Sequence, residues 1–193
     1  MRDIILASKS KPRQKLLKQI GLKFRIIESG VKETAALKDG ATCSGLVISN
    51  AVKKARGAAG GLDTGVVIAA DTVVLVGRRI IGKPRNMADA VRSLRKLSRS
   101  PQWVYTGIAV YDIDKKEMLT DFEKTKVYMY PLTDKQIRKY FSKISPFDKA
   151  GSFDVQGPGS IFIDRIEGCF YNVVGLPLAK LGRLLKKTGV EIF

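Results

Sequence analysis

The chain has 193 residues, of which 45% are hydrophobic, enough for one large domain or one domain with two lobes. It contains no histidine, which excludes Ser-His and Cys-His catalysis, histidine general bases and H-E-x-x-H metal sites. The net charge of +17 favours polyanionic partners such as nucleic acid, acidic membrane or phosphorylated small molecules, and a solvated basic surface is the alternative interpretation.

The apolar runs are too short for a membrane span, and the N-terminal apolar run is too short for a signal peptide. The sequence therefore predicts a cytoplasmic protein. Cys43 and Cys169 form no C-x-x-C motif, and in a reducing compartment we expect both to be free thiols.

The first half of the chain alternates strand and helix patterns. Apolar runs predict strands at 3–8 and 23–29, with a helix over 12–21 between them. Apolar residues at spacings of three and four predict a helix over 43–59, after a loop at 30–41. The aliphatic run at 66–76 predicts strand material on both sides of Asp71.

The second half contains hairpin-like strands as well as helices. The predicted elements are a short strand at 78–81, a helix at 86–98, paired strands at 103–114 and 123–132, a helix at 133–143, a strand at 161–168 and a closing helix at 177–189. Because strands and helices alternate while the central strands pair as neighbours, we expect an α/β fold with a mixed twisted sheet and flanking helices.

One carboxylate, Asp71, lies in the most apolar stretch of the chain, VVIAADTVVLV. A buried, unpaired charge costs several kcal/mol, so the side chain must have a partner or face a cleft. In a cleft, Asp71 can hold Mg²⁺ or take a proton from an attacking water. The alternative is an Asx turn in which it accepts backbone hydrogen bonds.

Two short motifs are suited to phosphate. SKSKPR, between a strand and a helix, offers the hydroxyls of Ser8 and Ser10, the guanidinium of Arg13 and a helix N-terminus. GKPRN places Lys83 just before a helix as a point charge. A serine cap with solvated basic residues, and a plain surface turn, are the respective alternatives.

The polar loop DKAGSFDVQGPG adds further candidates. Asp148 can join Asp71 and Glu33 around a cation, and the amide of Gln156 can read the edge of a base. An ordinary long loop is the alternative. The combination of cations, hydroxyls and carboxylates without histidine suits metal-assisted hydrolysis of a nucleoside polyphosphate.

The sequence resembles the Maf family of nucleoside triphosphate pyrophosphatases, once described as septum-formation proteins. The resemblance runs almost end to end, through LASKSKPRQKLLKQIG, AVKKA, AADTVV, IGKPRN, LRKLS, VYTGIAV, DKAGSFDVQG and IEGCFYNVVGLPL. It implies a two-lobed α/β fold like that of inosine triphosphate pyrophosphatases, with the active site in the central cleft. It also implies hydrolysis to the monophosphate and pyrophosphate with Mg²⁺, Mn²⁺ or Co²⁺, and a homodimer.

The resemblance also implies a role for individual residues. Asp71 is the expected proton acceptor, and Glu33, Asp71 and Asp148 are the expected metal ligands. The expected phosphate-binding residues are Ser8, Ser10, Arg13, Lys54 and Lys83, with Lys149 beside them.

The substrate branch depends on three positions. Thr72 and Gln156 resemble the branch that acts on dTTP and UTP, whereas another branch acts on 7-methyl-GTP. Pro12 stands where the dTTP branch usually carries Arg, which leaves the phosphate-binding Arg13 in place but changes a specificity position.

Two non-enzymatic alternatives remain open at this stage. The high positive charge is typical of a nucleic-acid-binding protein, although no basic stripe interleaved with aromatic residues is evident in the sequence. A division-linked regulator that uses the fold as a scaffold is the other alternative.

Overall fold

The computed structural model describes residues 2–34, 36, 37, 40–147, 151 and 153–193. Within them, the strands are β1 (Ile4–Leu6), β2 (Arg25–Ile26), β3 (Val66–Val76), β4 (Arg79–Ile81), β5 (Gln102–Asp112), β6 (Glu117–Met129) and β7 (Ile163–Glu167). The α-helices are α1 (Lys11–Gln19), α2 (Cys43–Ala59), α3 (Met87–Leu97), α4 (Asp134–Phe141), α5 (Phe170–Val174) and α6 (Leu178–Lys187).

The strands form one mixed sheet. Its order is β2-β1-β3-β5-β6-β7, and β4 pairs with β3 outside this path. β1 runs parallel to β2 and β3, whereas β4 is antiparallel to β3 and β7 is antiparallel to β6. The predicted mixed sheet with flanking helices is therefore confirmed.

The chain divides into two compact units, each with its own core. The first comprises residues 1–72, 106–123 and 174–193, and the second comprises residues 73–105 and 124–173. The core of the second unit is formed mainly by α3, α4 and the sheet residues Val74, Val76, Val104 and Val127. The central cleft expected from the resemblance stays a prediction.

The first unit has helices on both faces of its sheet, as the alternation of side chains along β3 requires. The even-numbered residues Val66, Ile68 and Ala70 pack in one core with α1 and α6. The odd-numbered residues Val67 and Ala69 pack on the opposite face of the sheet, in a separate core with α2. This alternation places Asp71 on the α2 face of β3 and Thr72 on the α1 face.

Two glycines bring α2 close to its neighbours. A Cβ atom on Gly107 of β5 would lie 2.4 Å from the backbone of Val47, so only glycine fits where helix and sheet touch. A Cβ on Gly57 would lie 2.5 Å from the carbonyl oxygen of Ser29. The loop that carries Glu33 therefore crosses α2 in close contact.

Several predicted boundaries are confirmed by their capping contacts. Asn86 accepts a hydrogen bond from the backbone N–H of Asp89 at 2.9 Å and begins α3. Thr133 and Gln136 form the predicted capping box of α4. Asn86 and Thr133 each accept a hydrogen bond from a backbone N–H group that has no partner within the helix at its start.

Four parts of the prediction differ from the structure, and the first is the strand predicted at 23–29, which is two residues long, Arg25–Ile26. The strand predicted from Ile161 begins at Ile163, because Pro158–Phe162 forms a 3-10 helix. β6 begins at Glu117 rather than at 123, and α5 was not predicted. A five-residue helix is too short to show a hydrophobic period, which explains why the sequence does not reveal it.

Both cysteines are free thiols, as expected. Within the described residues, no helix is long and apolar enough to cross a membrane.

An ion-pair cluster of the first unit predicts that the stability of the fold falls in acid. The guanidinium of Arg2 donates to the buried carboxylate of Asp112 at 2.7 Å and also to Asp114. Hydrogen bonding to Arg2 holds the pKa of Asp112 below its ordinary value. The pKa of Asp114 is also lowered, mainly by the hydrogen bond from the backbone N–H of Gly65 and to a smaller extent by the hydrogen bond from Arg2.

Because both pKa values are depressed in the folded state, the two carboxylates stabilise the fold above about pH 4. This stabilisation is lost as the pH falls through their folded-state pKa values. We expect Arg2→Met to lower the free energy of unfolding by about 3 kcal/mol at pH 7 and by clearly less at pH 3. Urea unfolding at both pH values measures this difference. Arg25→Met, which breaks the exposed pair with Asp3, is the control. An equal loss at both pH values would contradict the prediction.

Candidate active site

The buried acid of β3 is paired with two polar side chains of α2. The side chain of Asp71 is 8% exposed, and its Oδ1 accepts a hydrogen bond from the ammonium of Lys54 at 2.8 Å. Its Oδ2 accepts one from the side-chain amide of Asn50 at 2.8 Å. These contacts explain how a carboxylate persists in an aliphatic strand, because each oxygen has a polar partner.

The ammonium of Lys54 lies between two carboxylates. It donates to the carbonyl oxygen of Ala70 at 3.1 Å and to Asp71 at 2.8 Å, and its Nζ lies 2.7 Å from Oε1 of Glu33. The side chain of Lys54 is 9% exposed, whereas that of Glu33 is 50% exposed. The arrangement is thus a buried inner pair, Lys54 with Asp71, and an outer pair that reaches solvent through Glu33.

Asn50 ties the Glu33 loop to Asp71, and it was not among the predicted site residues. Its amide nitrogen donates to the carbonyl oxygen of Thr34 at 2.9 Å as well as to Asp71, and its amide oxygen accepts from the N–H of Thr34 at 3.0 Å. A signal was present in the sequence, because Asn50 and Lys54 are four residues apart and share one face of α2.

A second group of side chains surrounds Arg13 of α1. Nε of Arg13 donates to the carbonyl oxygen of Gly175 at 2.8 Å, Nη2 donates to Oγ1 of Thr72 at 2.9 Å, and Nη1 donates to Oγ of Ser8 at 3.3 Å. Oγ1 of Thr72 also lies 2.9 Å from Oγ1 of Thr106. These partners of Arg13 are all uncharged.

Arg13 is a buried residue, with 9% of its surface exposed. Burial lowers the pKa of Arg13, while the negative charges of Asp71 and Glu33 oppose that shift. An arginine has five N–H donors, and three of them donate to partners among the described residues. The remaining donors and the positive charge suit an anionic ligand.

Six of the predicted site residues form two groups. The structure brings Glu33, Lys54 and Asp71 together, and it brings Ser8, Arg13 and Thr72 together. Both groups belong to the first unit. Ser10 precedes α1, where its backbone N–H donates to Oγ of Ser8 at 3.2 Å, and Pro12 is exposed in the first turn of α1.

The remaining predicted residues lie elsewhere. Lys83 and Gln156 are exposed and belong to the second unit, so their roles stay predictions. Asp148 and Lys149 lie outside the described residues, and their predicted roles are likewise untested.

The donor set near Lys54 fits a hard divalent cation. Glu33 and Asp71 offer carboxylate oxygens, and both already share one cationic group, the ammonium of Lys54. Mg²⁺ is commonly bound by one or two carboxylates together with substrate phosphates and water. Among the described residues there is no cluster of three acidic, histidine or cysteine side chains, so a third protein carboxylate would have to come from elsewhere.

Removal of Asn50 tests its positioning role. We expect Asn50→Ala to lower kcat by about 10-fold with little change in KM, because losing a hydrogen bond to a charged group costs about 1.5–3 kcal/mol. Steady-state kinetics with a nucleoside triphosphate, the substrate class expected from the sequence, separate the two constants. Ser49→Ala, an exposed neighbour on the same helix, is the control. A rise in KM at constant kcat would assign Asn50 to substrate binding instead.

Comparison with known proteins gives a consistent result. The family model described as Maf-like protein matches residues 3–188. A dTTP/UTP pyrophosphatase of Pelotomaculum thermopropionicum is 45% identical over 192 residues, which cover 100% of both chains. A dTTP/UTP pyrophosphatase of Clostridium tetani is 41% identical over 98% of this chain and 100% of its own.

The fold also has a counterpart among solved structures. A HAM1 protein from Coxiella burnetii superimposes with a TM-score of 0.53 at 17% identity, covering 97% of this chain and 100% of its own. At this identity the similarity concerns the fold alone, and it agrees with the fold expected from the sequence.

Proposed function

The chain belongs to the Maf-like protein family, and we propose that it hydrolyses dTTP and UTP to the nucleoside monophosphate and pyrophosphate. The proposal is supported by the relatives named dTTP/UTP pyrophosphatase, which are similar to this chain over their whole length. The observation that carries it is the pairing of Asp71, whose two oxygens are held by Lys54 and Asn50. A carboxylate fixed in this way is suited to orient a water molecule.

The phosphate chain is proposed to bind at the Arg13 group. The hydroxyls of Ser8 and Ser10 donate hydrogen bonds to phosphate oxygens. The N–H groups of Arg13 that have no partner among the described residues add a forked, charged contact. The N-terminus of α1 contributes its positive end to the same site. Because three donors of Arg13 already have fixed partners, the guanidinium is held in place before substrate binds.

The proposed proton transfer uses Asp71. A carboxylate oxygen of Asp71 accepts a proton from water as the water oxygen forms a bond to the α-phosphorus. The bond from that phosphorus to the bridging oxygen breaks, and the electron pair leaves with pyrophosphate. When bound to Glu33 and Asp71, a divalent cation such as Mg²⁺ would polarise the phosphate and make the water more acidic.

Substrate choice is assigned to residues from different parts of the chain. Gln156 is proposed to read the edge of the pyrimidine. Thr72 is proposed to act through Arg13, since its hydroxyl accepts a hydrogen bond from that guanidinium. Lys83, Lys149 and Asp148 keep their predicted phosphate and metal roles. A cytoplasmic location and a homodimer also remain predictions.

A panel of nucleotides tests the proposed function. We expect purified protein with Mg²⁺ to release pyrophosphate from dTTP and UTP faster than from the other common triphosphates. 7-Methyl-GTP belongs in the panel because Pro12 departs from the dTTP branch. Preferential hydrolysis of 7-methyl-GTP would move the protein to the other branch, and no release from any nucleotide would contradict the enzymatic function.

A further inference from the structure

Lys54 already occupies the position between the two carboxylates that are the proposed metal ligands. Its Nζ lies 2.7 Å from Glu33 and 2.8 Å from Asp71, and it has a third acceptor at 3.1 Å in the carbonyl oxygen of Ala70. An ammonium has three N–H donors, so this group is fully used within the protein. A metal that binds both carboxylates must therefore compete with Lys54.

We propose that Lys54 is a built-in counter-cation that holds the space between Glu33 and Asp71 until a divalent cation displaces it from Glu33. In this role Lys54 keeps the nucleotide-free protein a weak binder of divalent metal. The proposal deepens the function proposed above and rests on its assignment of Glu33 and Asp71 as metal ligands.

The burial of the three side chains indicates which contact gives way. Asp71 and Lys54 are 8% and 9% exposed, whereas Glu33 is 50% exposed on a loop. The inner contact is also supported by the carbonyl oxygen of Ala70, and Asp71 is held from its other side by Asn50. The outer contact with Glu33 is therefore the one that exchanges.

Two consequences follow from that exchange. An ammonium and a divalent cation that share the same carboxylates repel each other, so the metal binds more tightly when triphosphate oxygens add ligands and negative charge. Once Glu33 turns to the metal, one N–H of Lys54 is free to donate to a phosphate oxygen. Lys54 can then act on phosphate even though Glu33, Asp71 and the carbonyl oxygen of Ala70 otherwise use all three of its N–H donors.

Metal binding in the absence of nucleotide tests this proposal. The depletion of free Mn²⁺ by added protein is followed by electron paramagnetic resonance. We expect Lys54→Met to bind Mn²⁺ at least about 10-fold more tightly than the unchanged protein, a difference of about 1.4 kcal/mol. Lys54→Gln is expected to do the same, and Lys54→Arg, which keeps the charge, to bind as weakly as the unchanged protein.

Lys53→Met is the matched control. It removes the same charge from the adjacent, exposed position, where the ammonium contacts only the hydroxyl of Thr34 at 3.4 Å among its hydrogen bonds to described residues. We expect its Mn²⁺ affinity to stay within about 2-fold of the unchanged protein, since exposed charges are screened by salt. If Lys53→Met and Lys54→Met raised the Mn²⁺ affinity equally, the change in net charge alone would explain the effect, and the proposal would be overturned.

The remaining outcomes are also decisive. An affinity of Lys54→Met equal to or below that of the unchanged protein would show that Lys54 supports the metal site rather than competing for it. If both neutral variants unfold without metal, added Mn²⁺ must restore the folded circular dichroism spectrum, and failure to do so overturns the proposal. Since no nucleotide is present, these results stand apart from the hydrolysis panel.

Discussion

Asp71→Asn is expected to lower kcat for dTTP hydrolysis by about 1,000-fold or more, because it removes the proposed proton acceptor. The asparagine side chain keeps the size of the carboxylate and can still accept a hydrogen bond from Asn50. It cannot take a proton from water, and it no longer balances the charge of Lys54. We therefore expect the fold to persist while turnover is lost.

Steady-state kinetics and circular dichroism on the same preparations separate loss of chemistry from loss of fold. Asp63→Asn makes the same chemical change at an exposed position and is expected to leave kcat unchanged. A near-normal kcat for Asp71→Asn would remove Asp71 from the reaction. It would leave the buried contacts with Lys54 and Asn50 as a purely structural arrangement.

Arg13→Lys is expected to lower kcat/KM for dTTP by about 100-fold, which corresponds to about 2.7 kcal/mol of transition-state stabilisation. The substitution keeps the positive charge. However, one ammonium cannot reproduce the planar fork that contacts Ser8, Thr72 and Gly175 and still offers donors to phosphate. The loss should therefore exceed what a change in charge alone would cause.

The appropriate control is Arg183→Lys, an exposed arginine of α6 in the same unit. We expect its kcat/KM to remain within about 2-fold of the unchanged protein, as is usual for exposed substitutions. If Arg13→Lys retained full kcat/KM, the phosphate contact would need only a point charge. The buried hydrogen bonds of Arg13 would then serve the fold alone.

The position of Asp71 illustrates how much the sequence can predict. The aliphatic run at 66–76 predicts a strand, and because successive side chains of a strand point to opposite faces, Asp71 and Thr72 must lie on opposite faces of β3. The spacing of Asn50 and Lys54 similarly places both on one face of α2. The sequence therefore predicts that Asn50 and Lys54 share one polar face of α2, although only Lys54 was named as a candidate site residue.

The approach of Glu33 could not be predicted from local patterns. Glu33 lies in a loop whose path depends on contact between the Ser29 carbonyl and Gly57, two groups far apart in sequence. The same limit applies to Arg13, whose partner Gly175 is 162 positions away along the chain. Residue types and motifs identified both side chains, but only tertiary packing shows what they contact.

The lone acid in the valine-rich strand remains the basis of the functional account. Its partners show that burial is compatible with a charged side chain, because Lys54 and Asn50 satisfy both oxygens. Its proposed chemistry requires that a water near this carboxylate attacks the α-phosphorus of the nucleotide.

Hydrolysis of dTTP in water enriched in heavy oxygen tests that requirement most directly. The account predicts that mass spectrometry finds the label in thymidine monophosphate and none in pyrophosphate, and that Asp71→Asn forms labelled product at least about 1,000-fold more slowly than the unchanged protein. Label in the pyrophosphate would place the attack on the β-phosphorus and contradict the account, and so would labelled monophosphate formed by Asp71→Asn at the rate of the unchanged protein.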